Sequence, residues 1–241
     1  IKQSGNMKNI DMFWSDPIIR PGNFGDMLSP SILRECGYTA NRVDKNSSNK
    51  LNCIGSTARF IRKGDIVWGT GIMNKSDKIE RDAKYLAVRG PLTGEKVNCD
   101  IYGDPGLLCS HLWPMNSDKS HKLGFTPHYV DYDIFDINKN DEIYLRTRNP
   151  IEIIKKIVKY ESIISSSLHG IIIAHSYNIP AGWWQPSERL SGDGSKFQDY
   201  ALSVGIDLKP EKDWKKVKLT LPSKDIINKI QKNLLDSVKK I

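Results

Sequence analysis

Two positions in this 241-residue chain set a reactive side chain beside polar backbone. Arg89 ends the apolar run YLAV and precedes Gly90-Pro91, where a proline suits the first turn of a helix. A guanidinium next to free helix N–H groups forms an anion site, since the helix start is partly positive and the arginine fork matches carboxylate or phosphate. A surface arginine paired to Asp or Glu accounts for the position equally well. His169 stands in SSLHG, between SIISSS and IIIAHSY, where an imidazole can take, give or pass a proton near neutral pH. Ser166 and Ser167 add hydroxyls ahead of Leu168, and Gly170 would let a ligand approach the backbone closely.

Further candidates are more ambiguous. In NFGDMLSP, Asn23 and Asp26 flank Gly25 at a helix start, so capping competes with the binding of substrate hydroxyls. Asp104, before Pro105, reads as a cap or turn residue as readily as a ligand. Gly71 in WGTGIM and the glycines of YGDPGLL offer backbone N–H groups to an anion, without the spacing of a nucleotide fingerprint. Trp183-Trp184 offers plates for the C–H face of a sugar, whereas His175 reads as a packed helix residue. No GxSxG elbow, HExxH zinc motif or EF-hand loop occurs.

The elements that must position these residues follow an α/β rhythm. NFGDMLSPSILRECG, DIVWGTGIMN, YLAVRGPLTGEKV and SIISSSLHGIIIAHSYNIP each join a strand or turn to a loop that can open a helix, as parallel sheets require. Ligands of such sheets sit at the C-terminal ends of the strands. The polar SDKSHKL marks a boundary near residue 120, after which GFTPHYVDYD restarts a strand whose start Pro127 limits. Pro150 opens a helix through IEIIKKIVKYES, and KDIINKIQKNLLDSVKKI is a basic amphipathic helix that either docks on the protein or lies on an anionic membrane.

With 39% hydrophobic and 27% charged residues, long disorder, collagen and small disulfide scaffolds are excluded. The cysteines Cys36, Cys53, Cys99 and Cys109 lack zinc spacing and read as reduced thiols. No apolar run approaches a membrane span, and Met7 followed by KNIDMFW reads as a native start without a signal peptide, so a cytoplasmic protein is expected. The +8 charge favours phosphates, carboxylates or anionic headgroups, but nucleic acid is not expected, because no recognition motif accompanies the dispersed lysines.

Taken in order, NFGDMLSP, GTGIM, AVRGPLTGEKV with YGDPGLL, GFTPHYVD and SSLHGIIIAHSYNIPAGWW resemble the polysaccharide pyruvyltransferase family. The stretch GSKFQDYALSVGID resembles its C-terminal section. The resemblance implies transfer of the enolpyruvyl group of phosphoenolpyruvate onto a sugar, giving a pyruvate ketal and phosphate. It implies a GT-B-like fold of two Rossmann-like domains facing a cleft. Residues 1–120 would hold the Arg89 loop on the acceptor side, and 121–241 the His169 loop and the terminal helix.

In that resemblance Arg89 matches the arginine that binds phosphoenolpyruvate, and His169 the family's Leu-His histidine, a general acid or base or a stabiliser of the departing phosphate. Ser167 stands where many members carry arginine, leaving Arg146, Arg148 and Lys196 as candidates for the missing cation. Asp26 or Asp104 would orient or deprotonate acceptor hydroxyls. No metal or redox cofactor is expected. The expected acceptor belongs to a cell-surface polysaccharide or its lipid-linked precursor, with peripheral association at the inner membrane face. A GT-B-like glycosyltransferase using a nucleotide sugar is the main alternative, and would bind a nucleoside diphosphate instead.

Overall fold

A computed structural model describes residues 6–16, 22–116, 118–134 and 141–241, so residues 1–5 ahead of Met7 lie outside the described residues. The first half is a parallel sheet of β1 (Lys8–Phe13), β2 (Tyr38–Arg42), β3 (Leu51–Asn52), β4 (Ile66–Trp68) and β5 (Lys84–Ala87). Its strand order is β2-β1-β3-β4-β5. Helix α1 (Phe24–Glu35) links β1 to β2, and α2 (Pro91–Val97) follows β5 with Pro91 in its first turn. The glycine-rich segment after β4 opens no helix and runs on to β5. A short helix, α3 (Cys109–Leu112), precedes the second sheet.

That sheet comprises β6 (His121–Thr126), β7 (Tyr160–Ser165) and β8 (Ala181–Trp183), again all parallel, with β7 central. Helix α4 (Pro150–Ile157) leads into β7, and α5 (Leu168–Ser176) connects β7 to β8. The strand expected from GFTPHYVDYD lies earlier, over HKLGFT, and Pro127 ends it rather than limiting its start. An edge strand tolerates the exposed His121 and Lys122, whereas proline has no N–H to extend the ladder. Two helices complete the chain, α6 (Ser195–Val204) and α7 (Lys224–Val238).

Parallel strands need cover on both faces; one large apolar cluster spans the two sheets, while Val67, Ile72 and Val88 form a second cluster in the first half and Phe125, Ile164 and Trp184 a third in the second. In the large cluster Met12, Leu28, Trp68 and Leu107 from the first half join Ile163, Ile171, Ala201 and Leu234 from the second. Cys36, Cys53, Cys99 and Cys109 are free thiols, all but the half-buried Cys36 enclosed.

Helix α7 starts at Ser223, whose hydroxyl accepts from the Ile226 N–H, and turns Ile227, Ile230, Leu234 and Val238 inward. It packs on β4, β5 and the 3-10 turn Pro105–Leu108. Trp68 Nε1 donates to Ser237 Oγ at 3.0 Å, and the Tyr38 hydroxyl donates to the Val238 carbonyl at 3.2 Å. Its apolar stripe therefore docks on the protein and its lysines face outward. Among the described residues no helix is long and apolar enough to cross a membrane.

Leu234 is fully enclosed, so Leu234→Ala should lower unfolding stability by about 2–5 kcal/mol. Urea denaturation followed by far-UV circular dichroism would measure it, with the midpoint falling and the slope unchanged.

Candidate functional site

Loops leaving the C-terminal ends of β1, β3, β6 and β7 converge on a cavity of about 300 Å³. The first sheet contributes Ser15, Asn23, Asp26 and Gly55 to Thr57; the second contributes His128 to Val130 and Ser167 to His169. Lys196 and Ser191 complete the wall, and the exposed Arg59 stands at the rim. Successive strands are laid to opposite sides of β1, so the gap between β1 and β3 is the place where the strand order reverses, the usual crevice for ligands in parallel sheets.

His169 enters the cavity from the first turn of α5. Its Nε2 lies 3.1 Å from Asp104 Oδ2, and the other oxygen of Asp104 accepts from the Gly106 N–H at 2.8 Å. Asp104 is thus both the cap of the 3-10 turn and the partner of the histidine. With the ring proton on Nε2, that N–H donates to the Asp104 carboxylate, which leaves Nδ1 as the other ring nitrogen. Nδ1 rests against Gly25: a Cβ added there would come within 2.4 Å of it. The glycine of NFGD therefore makes room for the histidine of SSLHG.

Asp26 stands in the first turn of α1. Asn23 occupies the cap position but makes no side-chain cap bond; its amide instead donates to Asp26 Oδ2 at 2.7 Å. Withdrawal from bulk water pushes the Asp26 carboxyl up to about 6, against the opposing pull of Asn23, His169 and Lys196. Lys196, largely buried in the first turn of α6, donates to the Ser191 carbonyl at 3.3 Å. Burial and then Arg89 bring its ammonium down to about 8, while Asp26 opposes them.

Other expectations are corrected by position. Arg89 does not line the cavity: its side chain is fully buried, 3.4 Å from the equally buried Asp199. Its guanidinium donates to Ser56 Oγ at 3.0 Å and to the Ile72 carbonyl. The arginine therefore lies behind the cavity wall and holds Ser56, which does line it. Gly71 is a packing position too, since a Cβ there would meet the same guanidinium at 2.6 Å. Gly170 admits no ligand; a Cβ would strike Ser165 Oγ and Thr126 Oγ1, so it serves the contact of α5 with its sheet. Ser166 is enclosed, its hydroxyl accepting the His128 N–H at 2.8 Å.

Of the cations considered for the position of Ser167, Lys196 is in the cavity wall. Arg146 stacks on Tyr129 at 4.3 Å from the ring centroid, and Arg148 pairs with Asp16 at 3.4 Å. His175 is a packed residue, bridging the Tyr200 hydroxyl and the Thr220 carbonyl. Trp183 and Trp184 are buried rather than presented to a sugar. Sequence reasoning missed His128, Ser56 and Arg59. For His128 a signal existed: it directly follows the proline that ends β6, at the sheet edge where ligands sit.

The raised Asp26 carboxyl has a consequence for stability. Its folded value of about 6 exceeds the ordinary 3.8, so the protonated acid favours folding. That contribution is complete below pH 3.8 and is lost as pH rises through about 6. Asp26→Asn should therefore exceed the wild type in stability by about 2 kcal/mol at pH 8 and lose that advantage towards pH 4, in urea denaturation at both pH values.

A family model described as polysaccharide pyruvyl transferase matches residues 23–183. The chain is 29% identical over 179 residues to uncharacterized protein L143 of Acanthamoeba polyphaga mimivirus, covering 67% of this chain and 62% of that protein. It is 27% identical over 224 residues to succinoglycan biosynthesis protein ExoV of Rhizobium meliloti (strain 1021), covering 87% of this chain and 65% of the relative. The matches thus span less than two thirds of the length of either curated relative. No solved structure matches the chain. The family match takes in the strand ends and loops that carry Asp26, Asp104 and His169, and the chain belongs to the polysaccharide pyruvyl transferase family.

Proposed function

We propose that this chain transfers the enolpyruvyl group of phosphoenolpyruvate onto a sugar and closes a pyruvate ketal with release of phosphate. The observation that carries this reading is one cavity, in a member of this family, uniting Asp26, the Asp104-oriented His169 and the buried Lys196. In this reading residues 1–120 and 121–241 act as two Rossmann-like halves in a GT-B-like layout. The first supplies Asp26 and the second His169 and Lys196.

The donor brings a carboxylate and a phosphate. Lys196 and Arg59 oppose their charge, and the hydroxyls of Ser56 and Ser167 donate to their oxygens. His169, held through Nε2 by Asp104, acts as the imidazolium: it gives its Nδ1 proton to the methylene carbon, makes C2 electrophilic and is left as the neutral Nε2–H ring. Asp26, ionised above about pH 6, takes the proton of the sugar hydroxyl that adds to C2. A second hydroxyl of the same sugar then displaces phosphate, which leaves with that hydroxyl's proton. Two bonds from C2 to sugar oxygens and one C–H bond at the methylene carbon form, while the C=C π bond and the bond from C2 to the phosphate oxygen break, so the scheme involves no net oxidation or reduction.

The name of the Rhizobium relative points to exopolysaccharide assembly, which suggests a cell-surface polysaccharide or its lipid-linked precursor as acceptor. Such an acceptor would place the protein in the cytoplasm at the inner membrane face, with the outward lysines of α7 towards anionic headgroups.

Calorimetric titration of phosphoenolpyruvate tests the donor directly. The wild type should bind it saturably, Lys196→Met at least tenfold more weakly, and uridine diphosphate should give no heat. Tight nucleotide binding without phosphoenolpyruvate binding would overturn the proposal in favour of a nucleotide-sugar glycosyltransferase.

A further inference from the structure

Beyond these residues, a second histidine faces the same cavity with one ring nitrogen already engaged. The register of β6 on β7 sets Thr126 beside Ser165, so the chain leaving each strand opens on the same space. His128 lies two residues past the end of β6, and Ser167 to His169 follow β7. The backbone N–H of His128 is fixed by Ser166 Oγ at 2.8 Å, and its ring packs on Tyr129 with centroids 4.3 Å apart. The Val130 N–H donates to His128 Nδ1 at 3.3 Å. In a neutral ring the proton is then on Nε2, which has no partner among the described residues.

The surroundings select what that N–H can meet. Burial first, and then the positive charge of Lys196, Arg146 and His169, bring the His128 imidazolium down to about 3. At neutral pH the ring is an uncharged donor in a cationic environment, suited to an anionic oxygen that an ammonium alone would leave partly unsatisfied.

We propose that His128 contacts the substrate, donating from Nε2–H to the phosphate group of the donor, and that Ser166 is the positioning residue that aims it. The assignment rests on the phosphoenolpyruvate reading above. It gives Ser166 a task that its closure from the cavity leaves open: the hydroxyl acts through the backbone of His128.

Long-range 1H–15N correlation of the imidazoles in the wild type, followed by titration with phosphoenolpyruvate and with inorganic phosphate, tests this. We expect the Nε2–H tautomer for His128 and a shift at Nε2 with both ligands. By calorimetry, His128→Phe should bind both at least tenfold more weakly, His128→Gln, which keeps an amide donor near that point, within threefold of the wild type, and Ser166→Ala in between. An Nδ1–H tautomer, an Nε2 signal unmoved by either ligand, or a folded His128→Phe of unchanged affinity would each overturn the proposal while leaving the donor assignment intact. A wild type that ignores phosphoenolpyruvate would overturn both. Should His128→Phe fail to fold, the tautomer and the Nε2 shift of the wild type decide the matter.

Discussion

The buried ion pair of Arg89 with Asp199 is the constraint on which the rest of this structure turns. Both side chains are without solvent, and Asp199 also accepts from the backbone N–H and the hydroxyl of Thr93, at 3.1 and 2.6 Å. These bonds clamp α6 onto the start of α2 across more than a hundred residues of sequence. The approach is close enough that a Cβ on Gly90 would meet the Asp199 carbonyl at 1.9 Å. Lys196 precedes Asp199 by three residues on the same helix, so the clamp also fixes where the cavity's cation stands. Desolvation offsets much of the attraction between such charges, and their better-attested value lies in register. Here the register in question is that of α6 against the first sheet.

From this anchor the cavity is built by convergence rather than by any one motif. Many wall residues sit just past the end of a parallel strand or in the first turn of the helix that follows, while Ser191 comes from the segment leading into α6 and Lys196 from that helix's first turn. The histidine from one half finds its carboxylate in the other, 65 positions away. An acid kept near neutrality, a cation brought down towards it and an oriented imidazole share one small space, in which Lys196 and His169 draw the Asp26 carboxyl down against burial and Asp26 holds the Lys196 ammonium up.

Much of this was legible in the sequence, in proportion to how local each cause is. Pro91 and Pro150 announce helix starts because proline's fixed geometry acts on its own residue. SIISSS and IIIAHSY read as strand and helix because their burial is nearly complete along the segment. His169 and Asp26 are singled out by their places beside βα turns, and both line the cavity. Arg89 was not placed correctly, since an arginine at a helix start looks the same whether it meets a ligand or an aspartate far along the chain. Gly170 and Gly71 were read as openings for ligands, although their missing side chains admit protein atoms. The edge position of β6, which permits its polar start, depends on pairing that no local pattern records.

The return of α7 to the first sheet bears on how the chain acquires its structure during synthesis. Tyr38 and Val238 are joined by a hydrogen bond across 200 residues, and Trp68 in β4 waits for Ser237. While the ribosome is still adding the second sheet, the β4 and β5 surface that α7 covers stays open to water or to other chains. The first half can thus form its strands early but is sealed only after the second sheet has been made. Such late, long-range closure slows folding and lengthens the interval in which chaperones have an apolar surface to hold.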